Sequence, residues 1–334
     1  MKAETSFPCW LVDRDGAGEI VGGPSRKTID ELPPGDILVE IELSSLNYKD
    51  GLAATGNPGV AKRLPHIPGI DAVGTVAESA DPGFHQGERV ILSGGEFGAA
   101  NWGGWTRYAR LNADFVLPMP RGLNPEEAAA LGVAGFTAAL SVRKLIAHGV
   151  KPGSGEILVT GATGGVGCVA VALLAKLGYE VVAVTGKQDK AGWLLDLGAS
   201  RVVGRSELKG LGDAPLLKSR WAAGIDTVGG EPLAALLRST RTGGCVTTCG
   251  LVAGADLVLT VHPFILRGLT LCGIDSAWTP RDERAAVWKL LGGEWKLERL
   301  DRITRKVALS ALGPEIEAIL AGKIAGRSIV EVDK

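Results

Sequence analysis

The stretch Glu156-Ile157-Leu158-Val159-Thr160-Gly161-Ala162-Thr163-Gly164-Gly165-Val166-Gly167 runs straight into Cys168-Val169-Ala170-Val171-Ala172-Leu173-Leu174-Ala175-Lys176-Leu177-Gly178. A short apolar run, four glycines at 161, 164, 165 and 167, and a long apolar run read as strand, tight turn and helix start. The opening of a helix leaves backbone N–H groups unpaired and carries a partial positive charge. A pyrophosphate can settle there if no side chain intrudes. In this spacing Gly161 is the turn glycine, Gly164 the close-approach glycine and Gly167 the helix-packing glycine, so Gly164, Gly165 and Val166 are the expected phosphate contacts. A second strand, Glu180-Val181-Val182-Ala183-Val184-Thr185, follows at the distance a βαβ unit requires. No lysine directly follows the glycines, as a Walker motif would require, which argues against a nucleoside triphosphate.

From Asn124-Pro125-Glu126-Glu127 onward the pattern is helical, with an Asn cap, Pro at the first helical position and acids in the first turn. Strands are expected at 157–161, 180–185, 201–204, 224–228, 244–249 and 269–273, with helices around 166–177, 189–197 and 232–239. Six strands in that alternation predict an α/β fold with a doubly wound parallel sheet, the Rossmann fold. The residues before it differ. Short strands at 37–43, 72–77, 88–92 and 113–117, separated by Pro-Gly and Gly-Gly signals, predict a compact, mostly antiparallel β domain. The tail carries an amphipathic helix from about Pro280, a helix around Gly313–Leu320 and strands at 302–307 and 328–332, which must pair somewhere. The expected domains are therefore 1–123 together with 280–334, and 124–279.

A chain of 334 residues with 46% hydrophobic content suits two cores. Its 36 basic and 37 acidic residues are dispersed, so no nucleic-acid partner is expected. No run of about 18 apolar residues and no signal-peptide core are evident, which predicts a cytoplasmic protein with no membrane partner. The cysteines at 9, 168, 245, 249 and 272 are scattered, and no metal site is expected because structural zinc needs four converging ligands.

The residues after the second nucleotide strand select the cofactor. An acid there would hold a ribose 2′-hydroxyl, but the chain has Thr185-Gly186-Lys187, with Arg201 and Arg205 around the next strand. Cations without the acid favour a 2′-phosphate, and hence NADPH over NADH.

Ser44-Ser45-Leu46-Asn47-Tyr48-Lys49-Asp50, Ile67-Pro68-Gly69-Ile70-Asp71-Ala72-Val73-Gly74, the glycine turn and Gly135-Phe136-Thr137-Ala138, in that order, resemble the medium-chain dehydrogenase/reductase superfamily. The zinc-free quinone oxidoreductase branch fits best. Asn101-Trp102-Gly103-Gly104, Pro263-Phe264-Ile265-Leu266-Arg267-Gly268 and Gly273-Ile274-Asp275-Ser276 look like the acryloyl-CoA reductase (NADPH) family. The resemblance implies a GroES-like β domain followed by the inserted Rossmann domain. It also implies reduction of the C=C bond of a short 2-enoyl-CoA, acryloyl-CoA to propanoyl-CoA, without metal. Asn47-Tyr48 occupies the place of the first cysteine ligand of zinc-bearing relatives, and 93–106 has no cysteine.

Tyr48 is the candidate donor to the substrate, because a phenol stays protonated at neutral pH. The alternative is a barrel tyrosine satisfied by backbone. Asn47 and Asp50 orient substrate or ribose hydroxyls, or else stabilise the local turn. By resemblance Thr137 contacts the cofactor phosphates or ribose, Gly250, Leu251, Ile274 and Asp275 supply contacts to the nicotinamide, and Arg327 approaches the phosphates. Phe97, Trp102 and Trp105 form either a wall over an acyl chain or ordinary loop packing. Two other readings stand beside the reductase: an NADPH:quinone oxidoreductase, and a non-catalytic NADPH-binding structural or regulatory protein. Strand 269–273, at the expected sheet edge, would pair across a two-fold axis in a homodimer.

Overall fold

The computed structural model describes residues 6–212 and 214–332. The chain begins with β1 (Ser6–Arg14), β2 (Ile20–Thr28), β3 (Ile37–Leu46), α1 (Tyr48–Ala54), β4 (Asp71–Ser79), β5 (Arg89–Ser93), β6 (Tyr108–Leu111), β7 (Val116–Pro118) and α2 (Pro125–Ala147). It continues with β8 (Ile157–Val159), α3 (Gly165–Lys176), β9 (Val181–Thr185), α4 (Ala191–Asp196), β10 (Arg201–Gly204), β11 (Trp221–Asp226), α5 (Gly230–Ser239), β12 (Thr240–Thr248), α6 (His262–Arg267) and β13 (Thr270–Gly273). The tail holds α7 (Arg281–Leu291), β14 (Thr304–Ala308), α8 (Leu312–Leu320) and β15 (Arg327–Glu331).

Two compact units result: residues 1–133, 277–293 and 298–334 form the first, and 134–276 with 294–297 the second. The boundary expected at 123/124 falls at 133/134 and the one expected at 279/280 at 276/277, and residues 294–297, expected in the first domain, belong to the second unit. The displacement has a local cause in α2. Gly132 adopts φ 48° and ψ −154°, which interrupts the helix, and the residues up to Val133 pack with the first unit.

In the first unit β1 and β2 form a hairpin, and a seven-stranded sheet runs β14-β15-β3-β4-β5-β7 with β6 also on β3. The tail strand β15 pairs antiparallel with β3, placing Ser328 opposite Leu46, and carries β14 in parallel. Apolar side chains of β3, β5 and β15, including Ile37, Val39, Ile41, Leu92 and Val330, share one core with Trp105. The expected strand at 113–117 forms only from Val116, because Ala113–Phe115 close a 3-10 turn.

The second unit is a six-stranded parallel sheet in the order β10-β9-β8-β11-β12-β13. This is the doubly wound order predicted from the alternation of elements. β11 and β12 start earlier than expected because Trp221, buried and stacked under Arg220 at 4.2 Å, pairs with Thr240 before a register shift.

The capping signal at Asn124 is realised reciprocally: Glu127 N–H donates to Asn124 Oδ1 and Asn124 N–H to Glu127 Oε2, both over 2.8 Å. The expectation that no apolar stretch long enough to cross a bilayer exists is corrected by α2. It has 23 residues, is apolar along most of its length and is mostly buried. A helix surrounded by the protein core is apolar on all sides for the same reason as one surrounded by lipid.

Candidate active site

In the second unit β8 delivers the chain into the glycine turn. Ala162 N–H donates to Val184 O over 3.0 Å, tying the turn to β9. Gly161 has φ 57°, and a Cβ there would overlap the Thr227 hydroxyl. At Gly167 a Cβ would overlap Gly161 O and approach Ala162 Cα to 2.8 Å, so this glycine lets helix and turn touch. Gly164 differs: an added Cβ would meet only Gly161 O, at 3.2 Å, and otherwise open space. It is also the N-cap of α3, whose first turn has no side-chain cap. Gly165 and Val166 therefore present backbone N–H groups at a bare helix N-terminus, where an anion is favoured.

The end of β9 adds charge beside this turn. Thr185 is buried, its hydroxyl 3.1 Å from that of Thr163 and accepting Lys187 N–H over 3.0 Å. A Cβ on Gly186 would run into the Arg205 guanidinium, so the arginine packs against that glycine. Lys187 has its pKa pushed down, first by burial and then by the Arg205 charge. Two cations thus converge where a 2′-phosphate would sit on a dinucleotide held at this edge.

Arg201 is placed elsewhere, which corrects its assignment to the cofactor. It opens β10 at the amino-terminal edge of the sheet, pairs with Glu156 at 2.6 Å and stacks on Trp221. Ligands of such sheets bind at the opposite, carboxyl edge. Gly250 and Leu251 follow β12 at that carboxyl edge; Leu251 is 60% exposed, and a Cβ on Gly250 would overlap Thr227 backbone. Ile274 follows β13, its N–H donating to Thr248 O over 2.9 Å, with exposed Asp275 next. Thr137 is buried in α2, its carbonyl accepting the Ser141 hydroxyl over 2.9 Å.

In the first unit Asn47 caps α1, so Tyr48 is the first helical residue. The Asn47 backbone N–H and side-chain amide both donate to Asp50 Oδ2, over 2.8 and 2.9 Å, and Ile70 N–H donates to Asp50 Oδ1 over 2.8 Å. Asp50 is fully buried. Burial, and next the nearby Asp71 charge, pushes its carboxyl up to about 7. The two acids are linked through Asn47 and Ser45. Ser45 Oγ–H donates to Asp71 Oδ1 over 2.6 Å, and Asp71 Oδ2 lies 3.2 Å from Asn47 Nδ2 and accepts Val133 N–H over 2.7 Å.

Arg327 completes this network within the first unit. Only 2% exposed, it donates Nε–H to Ala130 O at 2.7 Å, Nη1–H to Asn47 Oδ1 at 3.0 Å and Nη2–H to Ser45 Oγ at 2.8 Å. The expected approach to cofactor phosphates gives way here to buried protein partners. Sequence reasoning left Ser45 and Asp71 unassigned, although both stand inside the quoted motifs. What marks them is burial of polar groups, which only packing reveals.

Tyr48 is half-buried, and its hydroxyl makes no hydrogen bond to the described residues. It is thus not a backbone-satisfied barrel tyrosine. Phe97 and Trp105 are core residues, the Trp105 Nε1–H donating to Ser45 O over 3.1 Å, and Trp102 is half-buried with its Nε1–H on Pro65 O. Among the described residues no group of three His, Cys, Asp or Glu side chains is placed to hold a metal ion.

Known proteins contain both units. Residues 33–121 match the alcohol dehydrogenase GroES-like domain and 165–292 the zinc-binding dehydrogenase family. The acrylyl-CoA reductase AcuI of Ruegeria pomeroyi is 42% identical, across 98% of this chain and 99% of its own. The putative quinone oxidoreductase YhfP of Bacillus subtilis is 44% identical, across 92% of this chain and 94% of its own. The crystal structure of Escherichia coli YhdH with bound NADPH superposes with a TM-score of 0.93 at 44% identity, covering 97% of this chain and all of the other. With both units and the order of their motifs shared along nearly the whole length, the chain belongs to the medium-chain dehydrogenase/reductase superfamily, in the group that contains the acrylyl-CoA reductases.

Proposed function

We propose that the protein reduces the C=C bond of a short 2-enoyl-CoA with NADPH, converting acryloyl-CoA to propanoyl-CoA, in the cytoplasm and without a metal. The observation that carries this reading is the similarity to an acrylyl-CoA reductase over 98% of the chain. The bare N-terminus of α3 and the Lys187–Arg205 pair fit the pyrophosphate and 2′-phosphate of NADPH, with Thr185 and Gly186 forming the floor between them. When bound, this cofactor supplies the hydride for the β-carbon.

The residues of the first unit do the rest. Negative charge collects on the thioester oxygen as the C=C bond is reduced, and a hydrogen-bond donor stabilises that oxygen or protonates the α-carbon. Tyr48 has the free hydroxyl for that role, and Asn47, Asp50, Asp71 and Arg327 hold the start of its helix in place. Thr137, Gly250, Leu251, Ile274 and Asp275 are the further cofactor contacts of the proposal.

The quinone oxidoreductase reading is kept because YhfP resembles the chain to the same degree. Oxidation of NADPH and NADH in parallel against acryloyl-CoA, longer enoyl-CoAs and a benzoquinone tests the choice. Turnover confined to the quinone would remove the enoyl-CoA reading. A homodimer completes the proposal: β13 is an edge strand, and Val258, Val261, Ile265 and Leu266 expose apolar side chains just before it. Light scattering giving a monomer mass would remove that element.

A further inference from the structure

Asp226 closes β11 with a carboxylate that is fully buried and that the chemistry above does not use. Its Oδ1 accepts the Thr160 hydroxyl over 2.7 Å; its Oδ2 accepts Gly229 N–H over 2.8 Å and the Thr248 hydroxyl over 3.0 Å. Thr160 immediately follows β8 and Thr248 closes β12, and these are the two strands flanking β11. One carboxylate therefore ties together three adjacent strand ends.

The loops leaving these strands are the ones assigned to the cofactor. Thr160 leads into Gly161–Val166, and Thr248 into Cys249–Leu251. Thr227, next to Asp226, reinforces the tie: its N–H donates to Thr160 Oγ1 and its hydroxyl to Thr160 O, both over 2.9 Å. The same residue fills the Cβ positions of Gly161, through its hydroxyl, and of Gly250, through its carbonyl. A buried carboxylate is costly to desolvate, and the three donors from Thr160, Gly229 and Thr248 offset that cost here. Burial does push the Asp226 pKa up.

We infer that Asp226 is a positioning residue of the cofactor site, setting the pyrophosphate turn after β8 and the nicotinamide-side loop after β12 in one register. A single bound dinucleotide can then be gripped by both. This rests on the reading that the carboxyl edge of the sheet holds NADPH.

Two single-hydroxyl variants separate the halves of the tie, and Asp226→Ala removes both. Binding of NADPH is read by fluorescence titration, and turnover with acryloyl-CoA by the isotope effect of NADPH deuterated at the transferred position. Thr160→Val is expected to raise the NADPH Kd about fivefold or more, whereas Thr248→Val leaves Kd within about twofold but lowers kcat and changes the isotope effect. Asp226→Ala should do both; if it fails to fold, the threonine variants decide. Lower melting temperatures with Kd, kcat and isotope effect all within about twofold of wild type would make the tie purely structural and overturn the inference. Wild-type protein that binds no NADPH would overturn the cofactor reading as well. Wild-type binding with unaltered variants would overturn the inference alone.

Discussion

Arg327 donates to Asn47 across 3.0 Å, so a residue at the start of the last strand fixes the cap of the helix that begins with Tyr48. Arg327→Met leaves Ala130 O, Ser45 and Asn47 without their charged donor inside the protein. Loss of about 3 kcal/mol in chemical denaturation and about a tenfold fall in turnover are expected, with NADPH Kd within about twofold. A Kd raised by about tenfold at unchanged stability would return Arg327 to the cofactor phosphates.

Tyr48→Phe removes a hydroxyl that has no partner among the described residues, so little stability should go with it. Turnover at saturating NADPH should fall about tenfold or more while NADPH affinity stays constant. Unchanged turnover would take Tyr48 out of the mechanism.

Lys187→Ala and Arg205→Ala each remove one of the two neighbouring cations at the end of β9. Each should raise the KM for NADPH about tenfold and leave the KM for NADH nearly constant. Arg201→Ala is the control. Its guanidinium is engaged by Glu156 at the far edge of the sheet, and cofactor selectivity should not move.

Burial holds the Asp50 carboxyl at about 7, against an ordinary value of 3.8. Between those values the folded protein carries a proton there that the unfolded chain has released, so this group's contribution to stability falls as pH rises from about 4 to about 7. In Asp50→Asn that slope disappears. The melting temperature of the wild type, relative to the variant, should therefore decline across that window; a constant difference would show that Asp50 titrates at its ordinary value.

The doubly wound sheet was legible in the chain because strand, glycine turn and apolar helix are local patterns. Gly161, Gly164 and Gly167 could be given separate roles from spacing alone, and Lys187 stood out where an acid was missing. Relations between strand ends were not legible. Arg201 and Arg205 lie four residues apart in one strand–turn segment, yet the strand carries one to the amino edge and the other to the carboxyl edge. The same holds for buried polar ties: Asp71 meets Val133, Arg327 meets Asn47, and Asp226 meets Thr160 and Thr248 across long stretches of chain. Periodicity and turn chemistry act over a few residues, so the chain marks the six strands of the doubly wound sheet and the helix after the glycine turn, but not β1, β2, β6, α1 or α6. Sheet order and burial set the distances that carry Arg205 to the carboxyl edge and bury Arg327 against Asn47, and no local pattern encodes those distances.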